Sequence, residues 1–108
     1  MQKQYEIYVV KFPKTGAHTI HGVRPAVVFF KKMQNSLDII TMVPITSNQN
    51  LVQDPSRVKV GNHPENGLRE LSVLQPEQIT TVDVSRLGPK IGVLTEDQSR
   101  GLRISLFG

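Results

Sequence analysis

Two short segments hold the residues best suited to chemistry. The first, His18-Thr19-Ile20-His21-Gly22-Val23-Arg24-Pro25, runs straight into the apolar block Ala26-Val27-Val28-Phe29-Phe30; the second is Val43-Pro44-Ile45-Thr46-Ser47. Pro25 restricts Arg24 to extended backbone. An arginine held in this way, beside two imidazoles at the mouth of a buried strand, is where folds place chemistry rather than packing. A guanidinium next to hydroxyl groups matches the geometry of a phosphate.

The elements that must position these residues are mostly strands. Gln4 to Phe12 alternates loosely and is rich in Tyr, Ile and Val. Residues Ala26 to Lys32 and Leu37 to Ile45 are β-branched or aromatic runs, and Arg57 to Val60, Leu71 to Leu74, Ile79 to Val82 and Leu87 to Val93 are shorter ones. Strands this short and evenly spaced predict a mainly β fold: a small barrel or strongly curved antiparallel sheet. Thr95-Glu96-Asp97-Gln98 has the form of a capping box and predicts a short C-terminal helix carrying Leu102 and Leu106 one turn apart. Gly101 weakens that helix. The stretches Gly16 to Gly22, Ser47 to Pro55 and Gly61 to Gly67 are polar loops of functional length.

If the two long runs pair as an antiparallel hairpin turning at Asn35-Ser36, Val28 faces Val43, Pro25 faces Thr46 and Arg24 faces Ser47. Opposed Cβ atoms lie about 5 Å apart, so Arg24, Thr46 and Ser47 cluster at one open end of the sheet. Competing readings are an ion pair of Arg24 with Asp83 or Glu77, and Thr46 as a β-branched residue closing a strand. Ser47 has no evident adjacent base and is expected to bind rather than attack. His18 and His21 have metal-pair spacing but no third ligand nearby, so no metal site is expected.

At 108 residues, with 38% apolar and 20% charged residues, the chain is expected to form one domain, residues 1–108, with an ordinary core. It has no cysteine, which excludes disulfide scaffolds and thiol chemistry. No apolar run is long enough to span a bilayer and no secretory segment opens the chain, so the expected location is the cytoplasm. Charge is uneven: residues 1–32 carry six basic groups against Glu6 alone, while the remainder holds seven basic and eight acidic. The positive excess lies around the candidate site, as a phosphate-bearing partner requires, although charge alone does not single out nucleic acid.

Five motifs occur in order: Glu6-Ile7-Tyr8-Val9; Gly16 with His18; Gly22-x-Arg24-Pro25 before an apolar strand; Val43-Pro44-Ile45-Thr46-Ser47; and Gln78-Ile79-x-x-Val82-Asp83 with Arg86-Leu87 and Ile91-Gly92-x-Leu94. Together they cover nearly the whole chain, which resembles the MazF/PemK family of toxin endoribonucleases. That resemblance implies an SH3-like barrel with a few short helices, a homodimer opposed by a cognate antitoxin, and metal-independent, cofactor-free cleavage of single-stranded RNA at short motifs. The implied chemistry is attack by the substrate's own 2′-hydroxyl, leaving a 2′,3′-cyclic phosphate and a 5′-hydroxyl. Arg24 then supplies positive charge, Thr46 hydrogen-bonds the scissile phosphate, His18 orients it, and Glu77 is the candidate base. Ser47, His21, Lys14, Gln75 and Gln78 are the expected RNA contacts.

The sequence departs from the Kid-like branch at Gln75-Pro76-Glu77-Gln78, where that branch has an arginine and an aspartate two residues apart. Gln75 carries no charge, which favours a scheme built on Arg24 and Thr46. Only a short terminal helix fits between Thr95 and Gly108. The alternatives are a non-catalytic toxin of the same fold that grips a protein target, as the gyrase poison CcdB does, and an inactive RNA-binding relative.

Overall fold

Adjacent residues of the central strands are buried on opposite faces of one sheet, which is why those strands read as apolar blocks rather than alternating patterns. The computed structural model describes residues 2–14, 22–34, 37–61 and 63–108, except for the side chains of 32–34 and 37. The elements run β1 (Glu6–Phe12), β2 (Gly22–Gln34), β3 (Leu37–Thr46), α1 (Gln49–Val52), β4 (Lys59–Gly61), β5 (Leu71–Leu74), β6 (Thr80–Asp83), β7 (Leu87–Val93) and α2 (Glu96–Phe107), with 3-10 turns at Pro76–Gln78 and Val84–Arg86. Strand order is β4-β5-β3-β2-β1-β7, and β6 also pairs with β3. Pairings among the described residues are antiparallel, and the sheet curls into a half-barrel as the sequence predicts.

One face buries Tyr8, Val10, Phe12, Val28, Ile40 and Met42, with Val82 of β6, paired to Ile40, in the same cluster. The other buries Ile7, Val27, Val43, Ile45 and Leu74 beneath Leu94 and Leu102. Burying each such aliphatic side chain contributes roughly 1.5–3 kcal/mol. Helix α2 closes the second face and starts as its sequence predicts: Gln98 N–H donates to Thr95 Oγ1 at 3.2 Å, and Thr95 N–H donates to Gln98 Oε1 at 2.9 Å. Gly101, a poor helix former, has a packing reason, since a Cβ there would lie 2.8 Å from Val58 Cγ2.

The curvature has a local cause that alters the predicted register. Lys31↔Ile40 and Phe30↔Thr41 pair as expected, but Val28 then faces Met42 instead of Val43, with a bulge at Phe29. An extra residue bends its strand and increases twist. Strand β2 also begins at Gly22, four residues before the predicted start. Arg24 and Pro25 therefore lie within it, opposite Val10 and Val9 of β1, rather than at a strand mouth.

Two prolines open the sheet at this end. The β2–β3 ladder runs only to Ala26↔Pro44, because neither Pro25 nor Pro44 has an N–H to donate. Beyond that point β3 pairs with β5, through Ile45↔Leu74 and Thr46↔Val73, and Gln75 N–H donates to Pro44 O at 2.9 Å.

Beside the edge strand β7, Glu6 of β1 is buried and accepts from Tyr8 Oη at 2.9 Å, Lys3 N–H at 2.7 Å and Lys90 Nζ at 2.6 Å. Burial alone raises a carboxyl pKa, but the Lys90, Lys3 and Tyr8 hydrogen bonds outweigh it and bring Glu6 from 4.5 down to about 2. A lowered folded-state value stabilises the fold above the unfolded value, and that stability is lost as pH falls from 4.5 towards about 2. The expected result is that Glu6→Gln lowers the unfolding midpoint at neutral pH and flattens its decline in acid. Parallel acid profiles for variant and parent would contradict this.

Candidate functional site

The gap left where β2 and β3 part is a depression of about 360 Å³. It is lined by Arg24 and Pro25 of β2, Ile45 and Thr46 at the end of β3 with Ser47, Leu68, Arg69 and Glu70 of the β4–β5 connection, and Ser72 of β5. Thr46 is only 8% exposed. Its Oγ1 accepts Asn48 N–H at 3.1 Å, which fixes the hydroxyl and leaves its proton available to donate. Arg24 is half-buried and Ser47 exposed. Two guanidiniums, of Arg24 and Arg69, and three hydroxyl-bearing residues, Thr46, Ser47 and Ser72, form an arrangement suited to a phosphodiester.

The structure thus brings together Arg24, Thr46 and Ser47, which the sequence grouped through a register that the bulge at Phe29 changes. His18 and His21 lie outside the described residues, as does the predicted turn at Asn35-Ser36. Lys14 is exposed just beyond β1. Asp83 caps the Val84–Arg86 turn by accepting Ser85 N–H at 2.8 Å.

Glu77 does not join the depression. Its two carboxylate oxygens accept from Arg57 Nη1 and Nη2 at 2.8 and 2.7 Å, while Arg57 Nη1 also donates to Leu74 O at 3.2 Å. The Arg57 pair holds the Glu77 carboxyl below its ordinary pKa. Together they line a second depression of about 290 Å³. Gln78 belongs to the same 3-10 turn, its N–H donating to Gln75 O at 2.9 Å.

Gln75 is 7% exposed, and its Oε1 has no hydrogen-bond partner among the described residues. It therefore faces the interior rather than a strand lying on the surface. A buried acceptor without a partner costs about 1–3 kcal/mol. The near-isosteric Gln75→Met is therefore expected to raise the unfolding midpoint by a few degrees, corresponding to about 1 kcal/mol. A lower midpoint would show that the amide holds its neighbours in place.

Arg69 and Glu70 are the site residues that sequence reasoning missed. The Gly61 to Gly67 loop stood out, but the charged pair immediately after it is brought to Arg24 only by tertiary folding. The positive φ of Gly67, 69°, and the buried Asn66 turn the chain there. Asn66 Oδ1 accepts Leu68 N–H at 3.0 Å, and Val93 N–H donates to Glu65 O at 2.9 Å, tying the loop to β7. Among the described residues no three His, Asp or Glu side chains converge as a metal site, and no helix is long and apolar enough to cross a membrane.

The sequence model of PemK-like, MazF-like toxins of type II toxin-antitoxin systems matches residues 3–106, and the chain belongs to that family. Among solved structures, the Mycobacterium tuberculosis toxin MazF-mt6 is similar with a TM-score of 0.69 at 24% identity, over 94% of this chain and 91% of that one. MazE-MazF from Deinococcus radiodurans is similar with a TM-score of 0.67 at 18% identity, over 97% and 91%. A search of curated proteins gives no significant match.

Proposed function

We propose that this toxin is a sequence-specific endoribonuclease that cleaves single-stranded RNA without a metal or other cofactor. The observation that carries this reading is the depression shared by Arg24, Thr46 and Ser47, formed where two prolines end the β2–β3 ladder. A scissile phosphate seated there meets the Arg24 guanidinium, the Thr46 hydroxyl as donor and Ser47 at the rim. The adjacent 2′-oxygen attacks phosphorus, the bond to the 5′-oxygen breaks, and a 2′,3′-cyclic phosphate and a 5′-hydroxyl result. Arg24 acts on the charge that grows on the phosphoryl oxygens, which is where preorganised donors accelerate such reactions most. His18 is assigned to orienting the phosphate, and Lys14, His21 and Gln78 to the flanking strand. Glu77 acts at a distance, holding the turn against Arg57.

Membership of a toxin-antitoxin family supports a cognate antitoxin that restrains this activity in the cytoplasm. The similar Deinococcus structure pairs MazF with MazE. A homodimer is part of the same reading. Ile104 and Phe107, 61% and 76% exposed near the end of α2, offer apolar surface for it.

The test is incubation of the purified protein with a long defined RNA in excess EDTA, mapping new ends. Discrete 5′-hydroxyl ends at a recurring motif are expected. Intact RNA from folded protein would overturn the reading in favour of a toxin that grips a protein target.

A further inference from the structure

The reaction needs a group to take the 2′-hydroxyl proton, and the expected base, Glu77, is engaged with Arg57 beside a different depression. Among the described residues that line the Arg24 depression, one carboxylate is present, that of Glu70. It lies on the β4–β5 loop, beside Arg69, and is exposed. Its backbone carbonyl accepts Ser72 Oγ at 3.0 Å, which fixes the main chain there. Among the described residues lining the same depression, the other charged groups are Arg69 from its own loop and Arg24 from β2.

We infer that Glu70 is the general base of the cleavage reaction, a proposal that rests on the ribonuclease reading. The Glu70 carboxylate removes the 2′-hydroxyl proton as the bond from the 2′-oxygen to phosphorus forms. The bond from phosphorus to the 5′-oxygen breaks, that oxygen takes a proton from water, and Glu70 returns its own to solvent. Arg69, next in sequence and on the same wall, adds a second cation to the phosphate site. Glu70 on the β4–β5 loop and Arg24 on β2 border one depression, so a phosphate held by the guanidinium has this carboxylate within the same site.

The experiment measures single-turnover cleavage and RNA binding separately for the wild type, Glu70→Gln and Glu70→Asp. Glu70→Gln is expected to cleave about 10²-fold or more slowly with RNA affinity little changed, and Glu70→Asp to recover part of the rate. The acid limb of the wild-type pH–rate profile should disappear in Glu70→Gln. Cleavage by Glu70→Gln within a few-fold of wild type would overturn the assignment. So would an acid limb that persists in Glu70→Gln, since another group would then be taking the proton. Equal losses of binding and rate would make Glu70 an RNA contact and also reject it as base. Wild-type protein that binds RNA and leaves it intact would contradict the ribonuclease reading itself, and Glu70 as base with it.

Discussion

On the proposed ribonuclease reading, Arg24→Ala is expected to lose RNA cleavage by about 10³-fold or more while remaining folded. Removing a single preorganised donor from a developing oxyanion typically costs 10²–10³-fold, and Arg24 supplies a full charge and a two-pronged donor as well. It is half-buried on β2, in the gap where the strands part, so its guanidinium works where water is partly excluded. Arg24→Lys keeps the charge but not the fork geometry, and is expected to fall between the two. The comparison is of cleavage rates at saturating RNA, with thermal unfolding as the control. A near-normal rate in folded Arg24→Ala would remove the centre of the mechanism.

Gly67→Ala is the most damaging single methyl group the fold can receive near the site. Gly67 adopts a φ of 69°, and a Cβ there would lie 2.1 Å from Ile91 O. A backbone carbonyl in a strand cannot yield as a side-chain tip does, so left-handed strain and overpacking combine to cost about 3 kcal/mol or more. The consequence reaches the chemistry, because this turn carries Leu68, Arg69 and Glu70 to the wall of the depression. Expected together are a large drop in the denaturant midpoint and slower cleavage by the fraction still folded. An unchanged midpoint would show that the loop does not depend on its contact with β7.

What the sequence made legible follows from how local each signal is. The start of α2 was readable because Thr95 and Gln98 make both capping bonds within four residues. The strands were readable because β-branched runs such as Ala26 to Phe30 have few other uses, and the grouping of Arg24 with Thr46 followed from pairing two neighbouring runs. The bulge at Phe29 left no mark, since an extra apolar residue in an apolar block resembles its neighbours. The β4–β5 wall was hidden for a different reason: Arg69 and Glu70 reach the Arg24 depression through a loop that Val93 N–H ties to β7 at Glu65 O and that Asn66 turns by accepting Leu68 N–H. Glu77 was read through its motif, and its partner Arg57, 20 residues away, is set by packing that no spacing rule encodes.

The measurement that bears most directly on the central claim uses a short RNA containing the mapped cleavage motif, with one 2′-hydroxyl replaced by hydrogen at the scissile position. The account predicts that the toxin binds this oligonucleotide as well as the all-ribose one and leaves it intact, while the all-ribose strand is cut to a cyclic phosphate in EDTA. Cleavage of the substituted strand at the same bond would show that some other nucleophile attacks phosphorus, and would contradict the mechanism built on the Arg24 and Thr46 depression.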